Sequence, residues 1–284
     1  MRIASVDGRL KVVRDGGAID VEQASGGKFS SDPALAYPRF GELSKWAATA
    51  GSAEEPFDAA LASCPVPSPT QIFAIGLNYS DHAAESGMEK PTSPVVFSKF
   101  QSSLAGATSK VVLPAGSVDW EVEVVAVIGA VAASVPVERG WEHVAGLSIG
   151  QDLSERELQR SGPAPQFSLA KSFRGFSPVG PCVVTPDEFD DPDDLELGCE
   201  VNGVVMQKGR TRDMIFSISE IVSYLSRIVT LFPGDLVFTG TPAGVGMGRT
   251  PPVYLKAGDV LESWVVGIGS ISQTFVGGPV ATER

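Results

Sequence analysis

The sequence predicts a mixed-β chain with few helices, in which a small N-terminal α+β unit precedes a larger domain of short strands. Three observations predict this. Residues 118–128, VDWEVEVVAVI, are rich in β-branched side chains and alternate with period two, as a strand does. Glycine, proline and asparagine punctuate the chain at short intervals. The strongest such signal is Asn202-Gly203 between two apolar runs, a type I′ hairpin turn. Only one long segment has a strong helical period. There Ser217-Ile-Ser-Glu220 is a capping box, and Ile218, Ile221, Val222, Leu225, Ile228 and Val229 share one face.

Composition bounds the possibilities. A chain of 284 residues, 43% hydrophobic and 20% charged, has ordinary globular make-up and buries a sizeable core. No apolar run approaches the roughly 18 residues that span a membrane, and MRIASVDGRL has no signal-peptide core. Three widely spaced cysteines (Cys64, Cys182, Cys199) predict a reducing, cytoplasmic setting without a disulfide framework or zinc site. A net charge of −12 disfavours nucleic acid and anionic membrane as partners. A small anionic substrate stays open, because a local field can oppose the global one.

Residues 1–66 read as the small unit. Asp7-Gly8 and Gly16-Gly17 break short alternating runs as hairpin turns do, a polar loop follows, and Phe40–Ala62 carries weak helical periodicity. No catalytic constellation lies here. Cys64-Pro-Val-Pro-Ser-Pro is a stiff linker, and a second domain is expected over 71–284.

Gln71–Gly76 reads as a buried strand leading into Leu77-Asn78-Tyr79-Ser80-Asp81-His82-Ala-Ala-Glu85, a short helix that Asn78 or Ser80 would cap. His82 and Glu85 are three apart and share a helix face. A carboxylate beside an imidazole orients it and raises its basicity, although a surface ion pair has the same pattern. Pro94–Phe100 and Lys110–Pro114 supply further strands. On the strand at 118–128, Asp119, Glu121 and Glu123 share one face and the other face is wholly apolar. Buried acids at that spacing need raised pKa values, basic partners or a cation, and a solvent-facing strand edge needs none of these. Val144–Asp152 reads as a neighbouring strand ending in another acid. Lys171 lies in a mostly apolar run, where a lysine pairs with acids or reaches water. Gly240-Thr-Pro-Ala-Gly244-Val-Gly246 lacks the lysine of a P-loop, and the strands expected after it, at Tyr254-Leu255 and Val260-Leu261, are not the helix a phosphate site needs. An exposed-amide loop with Thr241, suited to a small carboxylate, fits better.

In order, GLNYSDHAAE (76–85), DWEVEVVAVIG (119–129), QDLSERELQ (151–159), AKSF (170–173), VNGVVMQKGRTRDMIF (201–216) and PGDLVFTGTPAGVG (233–246) resemble the fumarylacetoacetate hydrolase family. The resemblance implies a mixed-β core around a twisted, barrel-like roll, a smaller variable N-terminal domain, and a homodimer. It implies Mg2+ or Mn2+ on Glu121, Glu123 and Asp152, with Ca2+ as a substitute in a crystal, and neither nucleotide nor haem. Three carboxylates without thiolate or imidazole do select a hard cation. Asp119 matches a position that is not a ligand.

By the same resemblance the substrate is a small 2-oxo acid. Lys171 stabilises developing negative charge, Arg156 and Gln159 lie beside the substrate, and Thr241 binds its carboxylate. His82 with Glu85 matches a dyad that activates water for cleavage of a C–C bond in a 2,4-dioxo acid of the acylpyruvate type. The same machinery serves oxaloacetate decarboxylation and isomerisation of 2-hydroxyhepta-2,4-diene-1,7-dioate. A catalytically silent binding protein is the alternative from another class. Two departures, Glu157 after the arginine and Arg174-Gly175 after Phe173, fall on expected pocket positions and bear on substrate identity.

Overall fold

The computed structural model describes residues 1–278 apart from 54, 86 and 88. Two sheets dominate it. The larger runs, in spatial order, through Glu55–Pro56, Gly17–Asp20, Arg9–Arg14, Arg2–Val6, Ser177–Val184, Val144–Gln151, Val122–Ile128, Leu236–Phe238, Ile72–Gly76 and Val95–Ser98. The smaller has five strands: Val204–Arg210, Glu196–Val201, Val260–Val265, Gly269–Gly277 and Thr108–Leu113. Both are mixed, since Leu236–Phe238 pairs parallel with Ile72–Gly76 and Gly269–Gly277 pairs parallel with Thr108–Leu113. The fold is mostly β with few helices, and the sheets are open; the barrel-like roll does not close.

Every residue of Val122–Ile128 is buried, which explains a strand with almost no polar face. Val122, Val124, Ala126 and Ile128 face a core shared with the small sheet and with the Ile218–Ser226 helix. Val125 and Val127 face a second core built with Phe29, Tyr37, Leu43 and Val66 of the N-terminal region. The N-terminal strands extend the large sheet, because Arg2–Val6 pairs with Ser177–Val184. Their hairpins turn at Asp7-Gly8 and at Asp15-Gly16, all with positive φ, so the second turn sits one residue before the expected Gly16-Gly17. Aspartate tolerates the left-handed conformation that such a turn demands. The helix expected over 40–62 is confined to Phe40–Ala47. Past it come Gly51 and Pro56, poor helix residues.

Other expectations hold closely. Asn202 (φ 52°) and Gly203 (φ 78°) make the hairpin turn, and Ser217 and Glu220 satisfy each other's backbone N–H groups in the capping box. Tyr254-Leu255 forms no strand; the Leu255 N–H instead donates to the Val118 carbonyl at 2.9 Å. Among the described residues no helix is long and apolar enough to cross a membrane.

Candidate active site

The strand predicted over 118–128 is interrupted at Trp120-Glu121, giving Val118–Asp119 and Val122–Ile128. Its partner breaks at the same level, between Val144–Gln151 and Ser154–Glu155. The register on either side, Asp119 opposite Ser154 and Val122 opposite Gln151, puts Glu121 across from Asp152. The Asp152 N–H still donates to the Glu121 carbonyl at 2.9 Å. The break lets both side chains turn inward. With Glu123 two residues further on, carboxylate oxygens of Glu121, Glu123 and Asp152 lie within 4.8 Å of one another, all buried.

Three buried cations face these acids. Lys171 Nζ bridges Glu121 (2.7 Å) and Asp152 (2.6 Å) from the C-terminal end of the short Phe167–Ala170 helix. Lys99 Nζ, just past the Val95–Ser98 strand, donates to the other Asp152 oxygen at 2.5 Å and to the Lys171 carbonyl. Arg156 reaches Glu121 at 2.7 Å. Burial alone would raise the Glu121 carboxyl, but Lys171 and Arg156 overcome it and hold this acid far below the usual carboxylate range. Glu123 goes the other way. Burial, then Asp152 and Glu121, push it well above its ordinary value, and the Gly240 N–H it accepts at 2.7 Å does not offset them. Burial lowers Lys171, yet Asp152 and Glu121 more than restore it; Lys99 stays below its ordinary value because its burial wins.

Asp119 has a different task. It takes Arg156 Nε at 2.9 Å and accepts the Gly246 and Met247 N–H groups at 2.7 and 2.9 Å. It thereby ties the strand to the glycine-rich loop and aims Arg156, whose Nη1 also donates to Gln159 Oε1 at 2.9 Å. Glu155 caps the Arg156–Gln159 turn of helix that presents both residues. The Thr241 hydroxyl is already committed, donating to the Val122 carbonyl and accepting from Gln207 Nε2, each at 2.8 Å. The Thr241 hydroxyl proton is therefore not free for a substrate carboxylate.

His82 and Glu85 lie on the Ser80–Glu85 helix, with Nδ1 3.5 Å from Glu85 Oε2. Burial raises the Glu85 carboxyl, but His82 and the Gly244 N–H, which donates at 3.1 Å, bring it below its ordinary value. Asn78 does not cap this helix. Its amide donates to the Phe216 and Thr239 carbonyls and accepts the Phe216 N–H, pinning three loops together. Beside it Leu77 is held at φ 56°, a costly conformation for a bulky residue that surrounding contacts must enforce.

These groups open onto one cavity of about 210 Å³, lined by His82, Glu121, Glu123, Arg156, Gln159, Lys171 and Thr241 and walled by Ile75, Phe97, Pro165, Phe167 and Met247. Asp152 lies behind Lys171, and Glu85 behind His82. Sequence reasoning missed Lys99. Its signal was the one that singled out Lys171, a lysine in an apolar run (PVVFSKF). The donor set fits a divalent, oxygen-preferring cation: three clustered, buried carboxylates without thiolate or imidazole.

Comparison with known proteins gives a consistent picture. The family model described as fumarylacetoacetate (FAA) hydrolase C-terminal matches residues 71–276. The 2,4-didehydro-3-deoxy-L-rhamnonate hydrolase of a Sphingomonas species is 47% identical over 212 residues, 74% of this chain and 74% of that protein. The human mitochondrial oxaloacetate tautomerase FAHD2A is 42% identical over 214 residues, 75% of this chain and 68% of that one. The solved maleylpyruvate hydrolase of Sphingobium sp. SYK-6, in complex with manganese (II) ion and pyruvate, is 29% identical with a TM-score of 0.79, covering 98% of this chain and 100% of that one.

Proposed function

Because the chain belongs to the fumarylacetoacetate hydrolase family, we propose that it is a divalent-metal-dependent hydrolase cleaving a C–C bond in a 2,4-dioxo acid. The observation that carries this is the sharing of one cavity by a carboxylate triad and a histidine backed by a glutamate. A cation such as Mg2+ or Mn2+, held by Glu121, Glu123 and Asp152, supplies a Lewis acid for negative charge developing on the substrate. His82 takes a proton from the attacking water. Glu85, kept ionised by its own partners, stands 3.5 Å from the unpartnered Nδ1, and closing that gap when substrate binds holds the Nδ1 proton and leaves the other ring nitrogen basic. As the C–C bond breaks its electron pair passes to the pyruvate fragment, and Lys171, with two of its three N–H donors committed, keeps one for the resulting oxyanion. Arg156, Gln159 and Thr241 border the head group.

A second reading is turnover of oxaloacetate by tautomerisation, favoured by the human relative named above, or by decarboxylation at the same head site. It needs no attacking water, so His82 would only move a proton. Incubating the protein with acetylpyruvate and with oxaloacetate, with Mg2+ or Mn2+ and then with EDTA, separates the two. Metal-dependent pyruvate release from acetylpyruvate supports hydrolysis. Turnover of oxaloacetate alone transfers the assignment to the second reading, and metal-independent or absent turnover of both overturns the metal-enzyme reading.

A further inference from the structure

At the mouth of the cavity stands one cation that the chemistry above does not use. Arg160 lines the cavity immediately after the Arg156–Gln159 helix turn. The deeper cations are neutralised, Arg156 by Asp119 and Glu121, Lys171 by Glu121 and Asp152. Arg160 makes no ion pair among the described residues. Its Nη2 instead rests on the Met247 sulfur at 2.6 Å. A thioether is a weak acceptor, so a guanidinium parked on it gives up little in turning to a carboxylate, whose geometry it matches with two N–H donors. The resting position is itself built, because Asp119 accepts the Met247 N–H and fixes the loop that carries this sulfur. The same cavity is also walled by the apolar side chains of Ile75, Phe97, Pro165 and Phe167, and Phe97 meets Phe167 edge-on at 5.5 Å.

We propose that Arg160 is a specificity-determining residue that reads a second carboxylate at the far end of the substrate. A carboxylate cluster, apolar walls and a cation unpaired among the described residues, all in one cavity, together select a 2-oxo acid ending in an anion over one ending in a methyl group. This rests on the reading of the cavity as a 2-oxo acid site, and it names the substrate class within that reading.

The test uses matched, unreactive pairs: 2-oxoglutarate, 2-oxoadipate and 2-oxopimelate against 2-oxopentanoate, 2-oxohexanoate and 2-oxoheptanoate. Dissociation constants are measured by calorimetry on the Mg2+-supplemented protein. We expect the diacid to bind at least about tenfold more tightly than the monoacid of equal length, at the length that reaches the mouth. Arg160→Gln brings that ratio to within about twofold of one, and Arg160→Lys, which keeps the charge and loses the fork, retains part of it. Equal binding of acids and diacids at every length, a preference that survives Arg160→Gln, or no binding by either series overturns the proposal. A diacid preference lost in Arg160→Gln, in a protein that hydrolyses no 2,4-dioxo acid, upholds the distal site while removing the hydrolase assignment.

Discussion

Glu123→Gln separates a metal ligand from a structural acceptor. In the fold Glu123 does one structural thing, accepting the Gly240 N–H at 2.7 Å, and the amide oxygen of glutamine can do the same. What glutamine removes is the capacity to ionise. With all four buried acids (Asp119, Glu121, Glu123, Asp152) ionised, the three buried cations (Lys99, Arg156, Lys171) fall one short, and the variant fixes the neutral state toward which Glu123 is already driven. Metal-free, it should therefore melt within about 2 °C of the parent or above it, because a side chain that stays neutral offsets a slightly poorer hydrogen bond. Metal tells the rest. At one hundred times its Kd a cation stabilises the parent by about 2.7 kcal/mol, roughly 5–10 °C in Tm for a chain of this size. Removing one of three charged ligands at a cost of about a hundredfold in affinity leaves about 0.4 kcal/mol at the same concentration, a shift of some 1–2 °C. Differential scanning fluorimetry at pH 7.5, in EDTA and in graded Mn2+ or Mg2+, reads both quantities. An undiminished metal shift removes Glu123 from the ligand set, and a metal-free Tm lowered by more than about 5 °C, or some 1–2 kcal/mol, refutes the charge-balance argument.

Three further outcomes are expected. His82→Ala should lower hydrolytic kcat by about 10²–10⁴ while sparing metal binding by calorimetry; a change of less than twofold would show that another group activates the water. Lys171→Met leaves Asp152 with Lys99 alone and Glu121 with Arg156 alone, four buried acids against two cations, and should destabilise the metal-free protein by about 3–5 kcal/mol in urea unfolding; added metal should recover part of that loss, and a loss below about 1 kcal/mol would mean that the bridge is not needed. The thiols should be inert in the native state. Burial pushes Cys64 and Cys182 from 9.0 to about 12 and raises Cys199 too, so below that pH the folded protein holds them as thiols, and thiolate is the nucleophile. Ellman's reagent at pH 8 should label none before guanidinium is added and all three after it; rapid labelling of the native protein would refute the burial.

How far the site could be read in the sequence depended on whether its signals were local. The acidic strand, the Asn-Gly turn and the capping box each show in a few consecutive residues, because pleat, turn and cap are set by near neighbours. Lys171 was visible for a similar reason, a charge where an apolar run leaves no place for one. The interruption at Trp120-Glu121 was not visible, since the alternation runs unbroken through it. It coincides with a break in the neighbouring strand opposite, at Asp152-Leu153, so the two acids leave the ladder together. Asn78 was misread on the same ground: a cap is the local use of an asparagine, whereas its three partners lie at Phe216 and Thr239. The N-terminal strands look self-sufficient as hairpins, and only the edge offered by Ser177–Val184 draws them into the large sheet.

The charges of the cluster constrain what can bind more tightly than any single contact does. With all four acids ionised against three cations the buried groups would carry one negative charge in excess, and burial, then Asp152 and Glu121, drive Glu123 toward protonation in answer. A divalent cation turns that deficit into one positive charge in excess, which a 2-oxo acid's carboxylate cancels. The order of binding follows. An anionic head offered to the metal-free cavity meets no net positive charge and should bind weakly, whereas the loaded cavity attracts it, so metal and substrate analogue must strengthen each other's binding by the same factor. Arg160 stands outside this balance, since its guanidinium neutralises none of the four acids. A substrate with only one carboxylate satisfies the cluster and leaves the mouth unmatched; a second carboxylate at the far end satisfies both.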